Sequence, residues 1–505
     1  MPSELTMREK VLAFSTMSIG FFIALLDIQI VSASLRDIGG GLSAGADETA
    51  WVQTSYLIAE IVVIPLSGWL SRVMSTRWLF AVSSIGFTLA SMACGWAWNI
   101  QSMIFFRALQ GFLGGSMIPT CFTAAFFYFQ GNQRVVAAAV IGAISSLAPT
   151  LGPTIGGWLT DNYSWHWLFF VNLIPGIFVS VVVPILVKID KPDLSLLKKG
   201  DYPGILMLAL FLGCLEYVLE DGQRWDWLED PDIRLAAIVS AASGVGFLWR
   251  SLTYAHPVVD LRALKNLNFA LGCFFSFVTG IGIFSTIYLT PVFLGRARGF
   301  SALEIGEAVF STGIFQVCAI PIYTTLARKG VDLRWLMMAG LAGFAASMFN
   351  FMPITHDWGW RELLLPQAFR GFSQQFAVAP IVTLTLGGLP PERLKLASGL
   401  FNLMRNLGGA IGIAVCGTLL NNRTNLHFLH LAEHLNSANP AVPAGALEGN
   451  LVSLKLLWSL TLREALTQSF ADTFYVILLC FVLVTFMVPL LKKAGAPMKP
   501  SADAH

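Results

Sequence analysis

Residues 107–115 read Arg107-Ala-Leu-Gln110-Gly111-Phe-Leu-Gly114-Gly115, inside an otherwise apolar run from about 102 to 126. An arginine in hydrocarbon is costly unless it is paired or faces water. Gly111, Gly114 and Gly115 remove side-chain bulk, so a neighbouring helix can approach closely. The stretch is therefore read as a membrane span with a buried cation that has a task. The blander alternative is an arginine that only locks two helices together.

Composition extends that reading to the whole chain. Of 505 residues, 55% are hydrophobic and 12% charged, about half the ~25% charge of a soluble domain. Mean hydropathy is +0.67. A polytopic, all-α membrane protein is expected, and disordered, collagenous and disulfide-scaffold classes are excluded. A net charge of +2 gives a nucleic-acid partner no electrostatic basis. The 7 cysteines all fall in apolar runs, so no disulfide framework is expected. The first apolar run is too long for a cleavable signal peptide and carries Asp27 near its end.

At about 20 residues per span, fourteen candidates follow: 11–33, 50–70, 78–97, 102–126, 135–158, 167–187, 202–219, 233–250, 267–292, 303–326, 335–352, 363–388, 396–420 and 469–492. With the N-terminus inside, twenty Lys and Arg fall on the cytoplasmic side and nine outside, and Arg107, Arg370 and Arg405 lie within spans. That bias places both termini in the cytoplasm. The expected division is a six-span bundle over 1–190, a two-span insert with linkers over 191–266, and a six-span bundle over 267–492. The last includes an outside loop at 421–468, and 493–505 forms a cytoplasmic tail. The loop has helix-compatible stretches around Asn439-Pro440, with apolar residues at helical spacing.

Two further patterns carry information. Span 5 contains Ala148-Pro149-Thr-Leu-Gly152-Pro153-Thr-Ile-Gly156-Gly157. Its prolines remove backbone donors, and its glycines at i and i+4 make a small packing face. Span 1 contains Leu26-Asp27-Ile28-Gln29-Ile30-Val31, a lone carboxylate in an apolar helix and so a functional candidate. Glu60 sits mid-span 2, where an unpaired carboxylate is expensive, and proton or substrate exchange is its expected role.

Together these blocks resemble the major facilitator superfamily, and within it the fourteen-span drug:proton antiporters of the EmrB type. Arg107, Gln110, Gly111 and Gly115 match the span-4 signature. Pro149, Gly152, Pro153, Gly156 and Gly157 match the span-5 signature of antiporters, and Asp27 the span-1 motif. The block Ser398-Gly399-Leu-Phe-Asn402-Leu-Met-Arg405-Asn406-Leu-Gly408-Gly409-Ala-Ile-Gly412 is similar to span 13 of the same group, which brings in Asn402 and Arg405. Arg370, in Gln367-Ala-Phe-Arg370-Gly371-Phe-Ser373, is loosely equivalent to Arg107 through an internal repeat.

The resemblance implies two six-helix bundles plus two inserted helices, rocking around a central cavity. It implies export of hydrophobic drugs or toxic compounds in exchange for protons, with Asp27, Glu60 and Arg107 in the coupling. It further implies a bacterial inner membrane, contact with its lipids, and a periplasmic adaptor and outer-membrane channel as partners. Export of an endogenous product such as a siderophore or fatty acid is the alternative, and a membrane enzyme a minor one. No cofactor is implied. The span 2–3 loop departs from the family: Gly68-Trp69-Leu70-Ser71-Arg72-Val73-Met74-Ser75-Thr76-Arg77 has Arg72 where an acid is usual and Ser75 for the second glycine, so the usual cytoplasmic latch is in doubt.

Remaining features read as ordinary. No G-x-x-x-x-G-K-[ST] stretch exists, so an ATP-driven pump is excluded. Glu216, Glu304 and Glu307 lie near span ends, where interfacial solvation is expected. Trp96, Trp98, Trp165, Trp167, Trp225, Trp227, Trp358 and Trp360 form an interfacial belt. His427, His430 and His434 share a helical face, but a surface stripe is expected and no metal.

Overall fold

The computed structural model describes residues 5–32, 34–198, 200–255, 257–435 and 450–492, and no strand occurs among them. The tail 493–505, Lys199 and the Asn439-Pro440 pair lie outside the described residues. The principal helices are α1 (Met7–Ser32), α2 (Ala46–Met74), α3 (Thr76–Gly95), α4 (Ile100–Gly115), α5 (Met117–Tyr128), α6 (Asn132–Asn162), α7 (Leu173–Leu186), α8 (Tyr202–Asp221), α9 (Pro231–Thr253), α10 (Leu267–Phe293), α11 (Ala302–Arg328), α12 (Leu333–Phe351), α13 (Trp360–Leu386), α14 (Pro391–Glu433) and α15 (Leu451–Thr485).

They follow the expected spans in order, with span 4 divided into α4 and α5 at Ser116, just past Gly114 and Gly115. Among the described residues, eleven helical stretches are long and apolar enough to cross a membrane. The interrupted span 4, the 19-residue α12 and the polar-studded α13 are the expected spans outside that set. Helix starts are set by side-chain caps. Asn99 accepts from Ser102 N at α4, Asp230 from Ile233 N at α9, and Ser301 and Glu304 cap each other at α11.

Small residues fix which helices touch. In the first half α2 packs on α4, α1 on α6 and α3 on α7; in the second, α11 packs on α13, α10 on α14 and α12 on α15. The two sets correspond position by position, which is the internal repeat expected from sequence. A Cβ at Gly111 would strike the backbone of Tyr56, and one at Gly371 the backbone of Thr312. Gly152 and Gly156 do the same for α6 against Gln29 and Ile30 of α1, and Gly280 and Gly408 for α10 against α14. The α12–α15 contact is aromatic, with Phe344 on Phe481 and Phe351 on Phe474 at 4.2 and 4.5 Å. The halves meet reciprocally, α6 on α11 and α2 on α14. The inserted α8 and α9 pack on each other, and α8 leans on α2 through a stack of Tyr217 on Trp51 at 5.2 Å. Only 28% of each inserted span is buried, against 72% for α1 and α6, so the insert lies at the periphery.

The halves close at the face bearing the N-terminus, here the terminal face. Thr123 and Ser398 hydroxyls bond at 2.8 Å, and Arg134 Nη1 donates to the Gly387 carbonyl at 2.6 Å. Lys395, at the start of α14, pairs with Asp190 and donates to the Ser71 carbonyl at 3.1 Å. Asp190 also accepts from Thr76 N at 2.9 Å. A carboxylate from the linker after α7 therefore stands where the α2–α3 loop lacks its acid. At the opposite, distal face, α14 and α15 run on past the expected span ends, so that 421–433 and 451–468 are helical arms, in keeping with the helix-compatible stretches expected there.

Candidate functional site

Asp27 lies toward the distal end of α1 with no solvent exposure. Burying a carboxylate is tolerable only with charge-assisted partners, and three surround it. Arg107 Nη1 approaches Oδ2 at 2.5 Å, while Gln110 Nε2 and Asn172 Nδ2 donate to Oδ1 at 2.9 and 2.6 Å. Arg107 and Gln110 face the same way because they are three residues apart on α4. Arg107 Nη1 also donates to Gln110 Oε1 at 2.8 Å and Nε to the Val52 carbonyl at 3.1 Å. Its guanidinium lies 4.2 Å from the Tyr56 ring centre, and Tyr56 is held by a hydroxyl bond to the Ala24 carbonyl at 3.3 Å. Asn172, between a short turn of helix and α7, donates also to Ser91. Two side chains of α4 and one from the turn before α7 thus converge on one carboxylate of α1. The remaining arginine nitrogen, Nη2, has no partner among the described residues.

Neighbours of Asp27 on α1, namely Leu25, Ile28 and Gln29, line a cavity of about 600 Å³ between the halves. The cavity reaches from Glu60 and Asn406 at mid-depth to Ser32, Ala50 and Arg224 at the distal ends of their helices. Pro153 of α6 and Phe284, Ile287 and Tyr288 of α10 complete its apolar walls. Glu60 is 2% exposed, and its Oε1 has no hydrogen-bond partner. Its nearest charges are those of Arg405 on α14 and of Arg107 and Asp27. Gly115 makes room for it, since a Cβ there would meet Glu60 Cγ.

The other sequence candidates separate into neighbours and outliers. Arg405 is buried on α14, bonds Ser145 of α6 at 3.0 Å and sits 5.6 Å from the Phe122 ring, so it ties the halves together. Asn402, one turn earlier, bonds its own helix at the Ser398 carbonyl at 2.9 Å and leaves Oδ1 unpartnered. Gly152 and Gly156 bring the backbone of α6 against α1, Pro149 and Gly157 are buried on the same helix, and Pro153 alone of that block lines the cavity. Arg370 occupies the repeat-related helix α13. It gives one bond, Nη2 to Thr312 Oγ1 at 2.9 Å, and leaves Nε and Nη1 unpartnered.

Three readings change. Glu216, expected at an interface, is 4% exposed and lines the cavity, whereas Glu304 and Glu307 are exposed as expected. Trp165 is buried and stacks on His166 at 3.7 Å, while Trp96, Trp98, Trp167, Trp225 and Trp360 are exposed. His427 bonds Asp472 at 2.9 Å. Among the described residues no three metal-type ligands gather. Asn172 was missed in sequence because a neutral amide at a span end carries no cost that would single it out.

The chain matches the family model of the Major Facilitator Superfamily over residues 17–421. It is 37% identical over 487 residues to the colistin resistance protein EmrB of Acinetobacter baumannii, with 94% of each chain covered. It is 32% identical over 437 residues to the multidrug export protein EmrB of Escherichia coli, covering 86% of this chain and 85% of that one. Among solved structures, the proton:xylose symporter XylE aligns at a TM-score of 0.64 and 12% identity, with 97% and 98% of the two chains covered. Paired half-bundles, a buried Asp–Arg cluster beside a central cavity and these likenesses agree: this multi-pass membrane protein belongs to the major facilitator superfamily and is similar to its EmrB multidrug exporters.

Proposed function

We propose that the protein exports drug-like compounds in exchange for protons, carrying them and not transforming them. The observation that carries the reading is the buried Asp27–Arg107–Gln110–Asn172 cluster, which backs directly onto the cavity wall holding Glu60. The export of multiple drugs and the colistin resistance that name its relatives support the substrate class. The Lys and Arg bias assigns the terminal face to the cytoplasm, so that the cavity reaches outward and proton entry from outside is open.

In this state three donors, Arg107, Gln110 and Asn172, bond the Asp27 carboxyl. Rocking the halves moves α1 and α4 relative to one another, and a carboxylate that loses its guanidinium takes up a proton. Glu60, on the wall itself, exchanges protons with the cavity and competes with a bound substrate. One charge moved through 100 mV supplies about 2.3 kcal/mol. At roughly 150 mV that supports a gradient of a few hundred-fold, at about 1.4 kcal/mol per decade. A single proton is therefore sufficient to clear a toxic compound.

The paired bundles over 1–190 and 267–492 are the moving bodies, and the insert at 191–266 is carried along. The distal arms of α14 and α15 are the proposed docking place for a periplasmic adaptor that leads to an outer-membrane channel. The deciding experiment is reconstitution. Purified protein in proteoliposomes should accumulate ethidium against its gradient when an inward-acid step is imposed, and collapse of that step should release it. Ethidium flux that is indifferent to the pH step removes proton coupling from the reading.

A further inference from the structure

The cavity is unequal in charge. Glu60, Glu216, Glu220 and Asp221 all line it, and Arg224 is the cation among its lining residues. Arg224 is already engaged by Asp47, outside the lining, and so offers little neutralisation. Glu60 has counter-charges at Arg405 and Arg107, but the charges acting on Glu216 are those of Glu220 and Glu60, both of its own sign. Asp221 is held by the Thr54 hydroxyl at 3.2 Å.

Unpartnered acceptors point the same way. Glu60 Oε1 and Glu216 Oε2 are buried and without hydrogen bonds, on side chains 2% and 4% exposed. Gln53 Oε1 and Asn406 Oδ1, on the same walls, are also unpartnered. Native interiors leave few such groups unsatisfied, and four acceptors on the walls of one cavity call for a donor inside it, a water, an ion or a ligand. The opposite wall is apolar and partly aromatic, with Phe284 and Tyr288, surfaces that attract an organic cation.

The acids reach the cavity because of the insert. Glu216 and Glu220 are four apart on α8 and share a face. Gly213 brings that helix against Ile58 and Val62 of α2, and Gln223 anchors its distal end by a bond to the Gly417 carbonyl of α14 at 2.7 Å. The inserted helix thus closes the side of the cavity between α2 and α14 and delivers two carboxylates to it.

We propose that Glu216 and Glu220 of the inserted helix, facing Glu60, form the binding site for the cationic group of an amphiphilic organic cation, whose apolar part lies against Phe284, Ile287 and Tyr288. The proposal rests on the export reading and names its substrate class. The site selects by charge: a hydrophobic anion of the same shape meets four carboxylates and is refused.

Tetraphenylphosphonium and tetraphenylborate share size and shape and differ in the sign of their charge. The full chain in lipid nanodiscs should bind radiolabelled tetraphenylphosphonium saturably, while radiolabelled tetraphenylborate binds at least tenfold more weakly than to empty-disc-corrected wild-type levels for the cation. The pair Glu216→Gln with Glu220→Gln should weaken tetraphenylphosphonium binding tenfold or more at an unchanged melting temperature. If that pair does not fold, Glu220→Gln alone, on the less buried side chain, should still weaken it severalfold. Equal binding of the two ions, or wild-type affinity in the folded variants, overturns the proposal. Counterflow of a neutral or anionic compound without tetraphenylphosphonium binding would sink the cation site and leave export standing. Tetraphenylphosphonium binding with no counterflow of any compound would sink export and leave the site.

Discussion

Arg107 and Arg370 occupy equivalent helices but differ in what holds them. Arg107 uses two nitrogens for three acceptors, Asp27, Gln110 and the Val52 carbonyl, and stacks on Tyr56. A lysine is a point charge that reproduces neither the fork nor the stacking. Arg107→Lys should therefore abolish most drug resistance at matched expression, whereas Arg370→Lys, losing one bond to Thr312, should be milder. Growth on a drug gradient checks both, and full resistance in Arg107→Lys removes the residue from the mechanism. Asp27→Asn tests the acid. Removing one member of a buried ion pair costs about 3–5 kcal/mol, but the amide oxygen still accepts from its neighbours, so the variant should insert and fold. It should lose pH-driven transport in vesicles. Transport at the wild-type rate would make Asp27 structural and leave Glu60 as the carrier. Both groups were legible in sequence because a charge in an apolar run is conspicuous. Glu216 was not, since position near a span end is ordinarily wet and only the packing of α2, α8 and α14 around it makes it dry.

At the level of elements, the helices were readable because each apolar run is bounded by charge, proline or glycine, and their order survives in the structure. Contacts between them were readable only where glycine recurs: Gly152 and Gly156 announce a close neighbour without saying that it is α1. The break between α4 and α5 at Ser116 depends on tertiary context and left no local mark, whereas the continuation of α14 to Glu433 follows the helical spacing of Leu426 and Leu429. The missing acid of the α2–α3 loop was visible, but its replacement was not, because Asp190 is 114 residues from the Thr76 amide it caps. That replacement carries a prediction. Lys395 joins α14 to Asp190 and Ser71, and a partly buried pair of this kind contributes about 1 kcal/mol, slightly more than an exposed one. Lys395→Ala should then raise the population open at the terminal face by about fivefold, the ratio that 1 kcal/mol sets. Spin labels on the exposed Gln133 and Lys329, one in each half, would read it as growth of a longer distance. An unchanged distance distribution would show that Thr123–Ser398 and Arg134–Gly387 hold the face alone.

On the scale of the molecule, the distal arms exceed what a membrane requires. Helix α14 has 43 residues and α15 has 35, about 64 and 52 Å at 1.5 Å per residue, against roughly 30 Å of hydrocarbon. The arms therefore stand above the bilayer. They are joined at their base by Thr424 to Ser469 at 3.2 Å, His427 to Asp472 at 2.9 Å and Phe428 beside Trp458 at 6.4 Å. Above that base they expose Leu429, Leu451, Val452, Leu454 and Leu456, at 61, 82, 78, 41 and 52%. Apolar residues clustered on a projecting hairpin mark an interaction site more often than a free surface. A self-contained cap without a partner is the other reading of the arms, and a deletion separates the two. Replacing 429–456 with a short Gly/Ser linker removes these exposed residues and leaves the three basal contacts in place. Vesicle antiport and substrate binding should persist, because the cavity and the Asp27 cluster lie below the cut. Resistance of whole cells should fall to that of a strain without the protein, because substrate delivered to the periplasm no longer enters a channel. Crosslinks from the arms to an adaptor should vanish in the same cells. Full resistance together with retained crosslinking would place docking elsewhere on the molecule, while loss of vesicle antiport would show that the arms serve the transport cycle itself.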